Sequence, residues 1–234
     1  MATLAYKRIL LKLSGEALGN RGSGIDLAKL QAAANIIKTA KKLGVQIGIV
    51  MGGGNWWRKR DAGKRIEPVT SDYIGMLGTV LNSLALRDVL KRNGVRAVVQ
   101  SFLVTAPGLA KVNIKKAVKD LSAGQVVIFA AGTGKPFVTT DTAAAQRARD
   151  IKASAIFKVG DVDGVYTADP NKNRNAKKFS ELTFTEAARR RLKIFDQGAY
   201  KICQRAKIPL VVFKLSRTNL LKALRGGKVG TIIS

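Results

Sequence analysis

The sequence predicts an α/β fold: a single-domain, three-layer sandwich in which a mostly parallel central sheet is covered by helices on both faces. Three observations predict it. Strand-like and helix-like segments alternate from one end of the chain to the other. The strand-like runs, such as Gln125–Ala131 and Ile208–Phe213, are short and nearly continuously apolar, as strands buried on both faces must be. The chain has 234 residues, 46 % of them apolar, enough for one substantial core, and no repeat or low-complexity linker divides it.

Each element has its own warrant. Lys7–Leu13 reads as a buried strand. Leu27–Leu43 reads as a helix, apolar at Leu30, Ala34, Ile37 and Ala40, with Asp26 as N-cap and Gly44 as its stop. Val45–Met51 is a second strand that runs into Gly52-Gly53-Gly54. Ser71 or Asp72 opens a helix that reaches about Arg92 and ends at Asn93-Gly94. Val95–Val99 and Gln125–Ala131 are strands on either side of a Lys-rich helix near Asn113–Leu121. Asp141–Ile151 is a helix, Ala155–Val159 a strand and Gln197–Ala206 a helix. Pro209–Lys214 and Thr231–Ile233 complete the sheet. In such sheets ligands sit beyond the carboxyl ends of the strands.

Composition narrows the chemistry. With no histidine and one cysteine, Cys203, the chain has no intrachain disulfide, no cysteine-built zinc site and no Ser–His or Cys–His device. Any metal must be held by oxygen, which favours Mg²⁺. No apolar run approaches a membrane span. After Tyr6, Lys7 and Arg8 only three apolar residues precede Lys12, too few for a secretory signal, so a cytoplasmic location is expected. Lys+Arg of 42 against Asp+Glu of 15 leaves a net charge of +27, which attracts polyanions. The basic residues are spread along the chain, as on a solvated face, with denser stretches at Arg58–Arg65, Lys172–Lys178 and Arg189–Lys193.

Four strand ends carry candidate chemistry. Lys12-Leu13-Ser14-Gly15-Glu16 offers an ammonium and unhindered backbone N–H groups to a phosphate. Gly52-Gly53-Gly54-Asn55 lets the backbone turn sharply and approach an anion, with Arg58 four residues beyond Gly54 as a forked donor. One or both of Trp56 and Trp57 are expected to pack in the core or at a subunit interface rather than stack on a base. Gly132-Thr133-Gly134-Lys135-Pro136-Phe137-Val138-Thr139-Thr140-Asp141 leads into a helix N-terminus, where backbone donors favour an anion, or where Thr140 and Asp141 serve as caps. Lys158 through Pro170 gathers Asp161, Asp163 and Asp169; with Asp141 these acids suit Mg²⁺ or the orientation of lysines, and each also suits a turn. No Gly-x-x-x-x-Gly-Lys-Ser/Thr run occurs, and Gly52-x-Gly54 lacks the third glycine of a dinucleotide fingerprint. Several anion nests, two strand-end lysines and oxygen-only metal ligands point to phosphoryl transfer.

These residues resemble a known family. Tyr6–Glu16 (YKRILLKLSGE), Gly52–Asn55 with Arg58, Ser71–Leu86 (SDYIGMLGTVLNSLAL), Ala131–Asp141 (AGTGKPFVTTD), Asp161–Pro170 (DVDGVYTADP) and Lys228–Ile232 (KVGTI) are similar, in order and spacing, to bacterial uridylate kinases of the amino acid kinase superfamily. The resemblance implies transfer of the γ-phosphate of ATP to UMP in pyrimidine nucleotide biosynthesis. It assigns ATP to Lys12, Leu13, Ser14, Gly15, Gly54, Arg58, Gly160, Tyr166 and Asp169. It assigns UMP to Gly53, Asp72, Thr133, Gly134, Lys135, Pro136, Phe137, Val138, Thr139 and Thr140. Lys12 and Lys158 would spread charge off the transferring group, Asp141 would hold them, and Asp196 would reach Mg²⁺. It implies an acceptor half near residues 1–150 and an ATP half near 151–234. It also implies a homohexamer, and a GTP response through Gly19–Gly24. The chain departs from the family pattern at Glu67-Pro68, Lys135, Gly160 and Asp161. Two alternatives stand beside this reading: a superfamily relative with altered acceptor specificity, and a basic nucleic-acid-binding regulator on the same scaffold.

Overall fold

The computed structural model describes residues 3–20, 22–58, 63, 65–160, 162–170, 172–192 and 194–234. Its main sheet has nine strands in the order β4-β3-β5-β2-β1-β6-β10-β11-β9. From the centre outward these are β1 (Arg8–Leu13), β2 (Gln46–Met51), β5 (Val126–Ala130), β3 (Ala97–Ser101) and β4 (Leu109–Lys111) on one side. On the other side lie β6 (Ala155–Gly160), β10 (Leu210–Lys214), β11 (Thr231–Ile233) and β9 (Glu181–Leu182). Neighbouring strands pair in parallel except β10 with β11. A separate antiparallel pair, β7 (Val165–Tyr166) with β8 (Lys178–Phe179), projects after β6.

Alternation along each strand divides the core into two. Ile9, Leu11 and Leu13 of β1 face one layer, with α1 (Leu27–Lys42), α2 (Pro68–Arg92) and α7 (Arg217–Leu224). Leu10 of β1, Val50, Phe129 and Ile156 face the other, with α3 (Ile114–Ser122), α4 (Thr140–Asp150), α5 (Phe184–Arg189) and α6 (Gln197–Ala206). Small side chains let α4 lie close: Ala143, Ala144, Ala145 and Ala148 are all buried. Cys203 is buried on α6, and burial pushes its thiol up to about 12, so it stays an inert thiol.

Element types follow the sequence, while some ends move for physical reasons. Asp26 caps α1 by accepting from the N–H groups of Ala28 and Lys29, and Gly44 follows the helix with φ +80°. Helix α2 starts at Pro68, three residues before the earlier of the two expected starts, because proline's fixed φ suits the first helical position. Thr139 caps α4, so Thr140 and Asp141 lie within its first turn. Helices α5 and α7 and strands β4, β7, β8 and β9 went unread in the sequence. Helix α5 had a signal: Thr183-x-x-Glu186 has capping-box spacing, and Thr183 accepts from the Glu186 N–H.

Candidate active site

Strand register brings the lysines together. Lys12 on β1 is the parallel partner of Lys158 on β6, and both share the face of Leu10 and Ile156, beneath α4. The connections from β1 and β6 depart to opposite sides of this pair, which is the switch point where parallel sheets open a crevice. Helix α4 crosses above it and sets Asp141 in its first turn against both ammonium groups. Lys12 Nζ lies 3.2 Å from Asp141 Oδ1 and Lys158 Nζ 3.0 Å from Oδ2. Lys158 also donates to the Ile194 carbonyl, and Phe195 lies beneath its ammonium at 5.2 Å.

The electrostatics are those of a loaded site. Burial and the neighbouring Lys12 lower Lys158 from an ordinary 10.5 to about 8, against the opposing pull of Asp141 and Asp196. Two positive charges thus share one carboxylate at the tip of the sheet, where a phosphate would supply the missing negative charge.

Beside this cluster opens a cleft of about 550 Å³. Lys12, Ser14, Gly15, Gly53, Gly54 and Arg58 line one side, and Asp72, Thr133, Val138, Thr139 and Thr140 the other. The glycines serve close approach. The chain turns here as expected, Trp56 N–H donating to the Gly53 carbonyl, and it does so without a positive φ at Gly52, Gly53 or Gly54. A Cβ on Gly53 would fall 2.4 Å from the Gly75 carbonyl of α2, and one on Gly15 would fall 2.6 Å from the Gly54 nitrogen. The strand tips therefore press together, leaving peptide groups as the cleft wall.

The family model for the amino acid kinase family matches residues 7–214. The chain belongs to the amino acid kinase family. It is similar to the solved UMP kinase of Bacillus anthracis, at 35% identity and TM-score 0.93, covering 98% of this chain and 96% of that one. The UMP kinase of Ureaplasma parvum is also 35% identical, with TM-score 0.90, covering 97% and 98% respectively. The uridylate kinase of Archaeoglobus fulgidus is 30% identical, with TM-score 0.74, covering 97% and 99%.

Other expected site residues do not line the cleft. Leu13 is wholly buried in the core and meets the site through its backbone, accepting from Gly52 N–H. Gly160 lies against Ser14, whose Oγ is 3.4 Å from where a Cβ would stand. Gly134, Lys135, Pro136 and Phe137 form the outer part of the β5–α4 loop. There Ala131 and Phe137, both non-glycine, take positive φ of 61° and 62°. The Phe137 N–H donates to Asp72 Oδ2 at 2.8 Å, tying this strained loop to α2. Tyr166 donates to Asp163, which also pairs with Lys178, so Asp163 organises the β7–β8 pair, where Asp169 also lies. Asp161 falls outside the described residues, as do Arg21 of the 19–24 segment, five residues of the 58–65 stretch and Lys193.

Asp196 has structural duties. It caps α6 through the Ala199 N–H and accepts from Thr142 Oγ1 at 2.9 Å and from the hydroxyl of Thr139, so it clamps the N-termini of α4 and α6 together. With Asp141 it borders a second hollow of about 590 Å³, walled by Leu192 and Phe195. Among the described residues no group of three or more acidic or sulfur side chains could cage a metal ion.

Three contributors carry roles that the sequence motifs did not assign. Asn55 and Asn82, both fully buried, exchange amide hydrogen bonds of 3.0 and 2.8 Å. Asn82 also donates to the Gly52 carbonyl and accepts from Trp56 Nε1, fastening the glycine turn to α2. Thr79 accepts from the Ala131 N–H and so anchors the next strand tip. Polar Thr79, Asn82 and Ser83 amid the apolar α2 were the available signal. Of the two tryptophans, Trp57 lines the cleft, its indole donating to Ser71.

Proposed function

We propose that the protein is a UMP kinase, moving the γ-phosphoryl group of ATP to a phosphate oxygen of UMP and releasing ADP and UDP. The convergence of Lys12 and Lys158 on Asp141 beside a glycine-walled cleft carries this reading. The likeness to UMP kinases over nearly the whole chain supports it.

The division of labour follows the chemistry. Lys12, with Ser14, Gly15, Gly54 and Arg58, meets the ATP phosphates; Arg58 is paired with Glu16, so it reaches a phosphate with its orientation preset. Gly53, Asp72 and the 133–140 loop receive UMP. Gly160, Tyr166 and Asp169 serve the ATP nucleoside, so residues 151–234 form the ATP half, while residues 1–150 form the acceptor half and also lend Lys12, Ser14, Gly15, Gly54 and Arg58 to the ATP phosphates. The attacking oxygen is already anionic, and the work left to the protein is alignment and neutralisation of charge spreading over the transferring group. Asp141 sets both lysines for it. A Mg²⁺ would be held by oxygen donors, Asp196 among them, and would supply neutralisation of phosphate charge.

A homohexamer fits an outward face of α2 that exposes Val69, Leu77 and Leu81 beside Trp56, apolar surface that another copy would cover. GTP would act through the 19–24 segment, whose Gly22 N–H bonds to the Asn55 carbonyl at the glycine turn. A cytoplasmic site of action accords with the substrates, and no helix among the described residues is long and apolar enough to cross a membrane.

The deciding experiment is a coupled ADP-release assay with UMP, CMP, AMP and small carboxylate acceptors. UMP is expected to exceed every other acceptor by at least about tenfold in kcat/KM, a difference of about 1.4 kcal/mol. Comparable turnover of several acceptors would reject the assignment.

A further inference from the structure

The pole of the sheet opposite the cleft carries a concentration of charge that the kinase reading leaves unused. Parallel strands all begin there. Gln46 N–H bonds to the Lys7 carbonyl, Val126 N–H to that of Arg96 and Ser154 N–H to that of Arg8, which places these residues on one rim. Helices α1 to α4 return to the same rim and end there, so their basic last turns collect on it, as with Lys41 and Lys42 of α1, Lys91 and Arg92 of α2 and Lys119 of α3.

Helix dipoles account for part of this pattern, since cations near a C-terminus contribute about 0.3–1 kcal/mol each. They do not account for Lys7 and Arg96 at strand starts or for Lys152 in a turn, all exposed. Nor do they account for the balance of charge. Asp88, Asp120 and Asp150, the acids in the last turns of α2, α3 and α4, each pair with a basic side chain of their own helix. Four other cations gather with no acid beside them. Lys38, Lys41, Lys42 and Arg96 wall a hollow of about 270 Å³ that no acid lines, and burial together with Arg96 lowers the pKa of Lys41. Such crowding opposes folding and is relieved by a bound polyanion.

We infer that this rim is a docking surface for the phosphodiester backbone of duplex nucleic acid, separate from the kinase cleft. Among the described residues no exposed aromatic side chain lies on this rim, which favours the duplex. Among the described residues the exposed large apolar side chains lie elsewhere, apart from Leu43 at the end of α1. Unpaired bases would need aromatic platforms, and a membrane surface would need apolar anchors.

The test is fluorescence-anisotropy titration of the full chain with labelled DNA and RNA duplexes of about 20 base pairs, from about 50 to 300 mM salt. The rim variant Lys42→Gln/Arg96→Gln/Lys152→Gln is compared with Lys172→Gln/Arg174→Gln/Lys177→Gln, which removes the same charge from the β7–β8 segment. The rim variant is expected to flatten the slope of log K against log salt by about 2.7, three contacts at about 0.9 each, and to weaken binding at least about tenfold near 150 mM. The second variant is expected to change binding less than about threefold, and both to keep wild-type kinase turnover and circular dichroism. Equal losses in the two variants would mean diffuse attraction and overturn the inference. So would tighter binding of a single strand than of its duplex, or wild-type binding weaker than about 100 μM at 150 mM salt.

Discussion

Lys158 offers the sharpest test of the electrostatic reading. Its ammonium is mostly buried, with 18% of the side chain exposed, and its pKa stands near 8 against an ordinary 10.5. The unfolded chain therefore binds the proton more tightly than the fold does. Between pH 8 and 10.5 the unfolded state holds more protons, so the contribution of this group to stability rises with pH; it is fully present above 10.5 and lost as pH falls through 8. The gap corresponds to at most about 3 kcal/mol. The assay is urea unfolding of wild type and Lys158→Met from pH 7 to 10.5. Titrating groups away from the Lys12–Asp141–Lys158 cluster cancel in the comparison. Wild type is expected to gain as much as about 3 kcal/mol relative to the variant across that range. In the same enzyme kcat/KM for ATP should fall above about pH 8 as the ammonium of the free enzyme is lost, with the kcat limb at higher pH because bound phosphate favours the charged form. A flat difference in stability, or one of opposite slope, would refute the argument that Lys158 is held against its own solvation.

Lys12→Met should lower turnover at least about a hundredfold in a stopped or coupled assay, the cost of losing one donor to developing charge; a smaller loss removes Lys12 from transition-state stabilisation. Asp169→Asn should raise KM for ATP about tenfold while the thermal midpoint stays fixed, and unchanged ATP kinetics would take Asp169 out of the nucleotide site. Asn82→Ala leaves Asn55, Trp56 and the Gly52 carbonyl short of partners. It should cost about 3 kcal/mol or more by urea unfolding, and a cost below about 1 kcal/mol would show that the network is incidental. Gly53→Ala should destabilise by about 1–3 kcal/mol and weaken UMP binding, because the new methyl meets backbone rather than a movable side chain. Calorimetry and a KM measurement that find neither would contradict the close-approach role.

Much of the fold was legible because it is written locally. The apolar runs at β1, β2 and β5, the periodicity of α1 and the cap at Asp26 act within a few residues of themselves. The short strands β4, β7, β8 and β9 were not legible, since two or three residues carry no period. The site was half legible. Glycine, lysine and hydroxyl residues at strand ends declare anion binding wherever they stand. Asp196 could be read as a metal ligand, while folding engages it as a clamp between two helix N-termini.

By itself the sequence determined a parallel α/β sandwich, a chemistry without histidine or thiolate, and the four strand tips that could meet phosphate. Only the tertiary structure decided that Lys12 and Lys158 share Asp141, that Asn82 fastens the glycine turn and that Trp57 faces the cleft. The reason is one of range. Element type depends on neighbours within a turn or a pleat, whereas these pairings join residues 17 to 129 positions apart and exist only once strand register and helix packing set their distances.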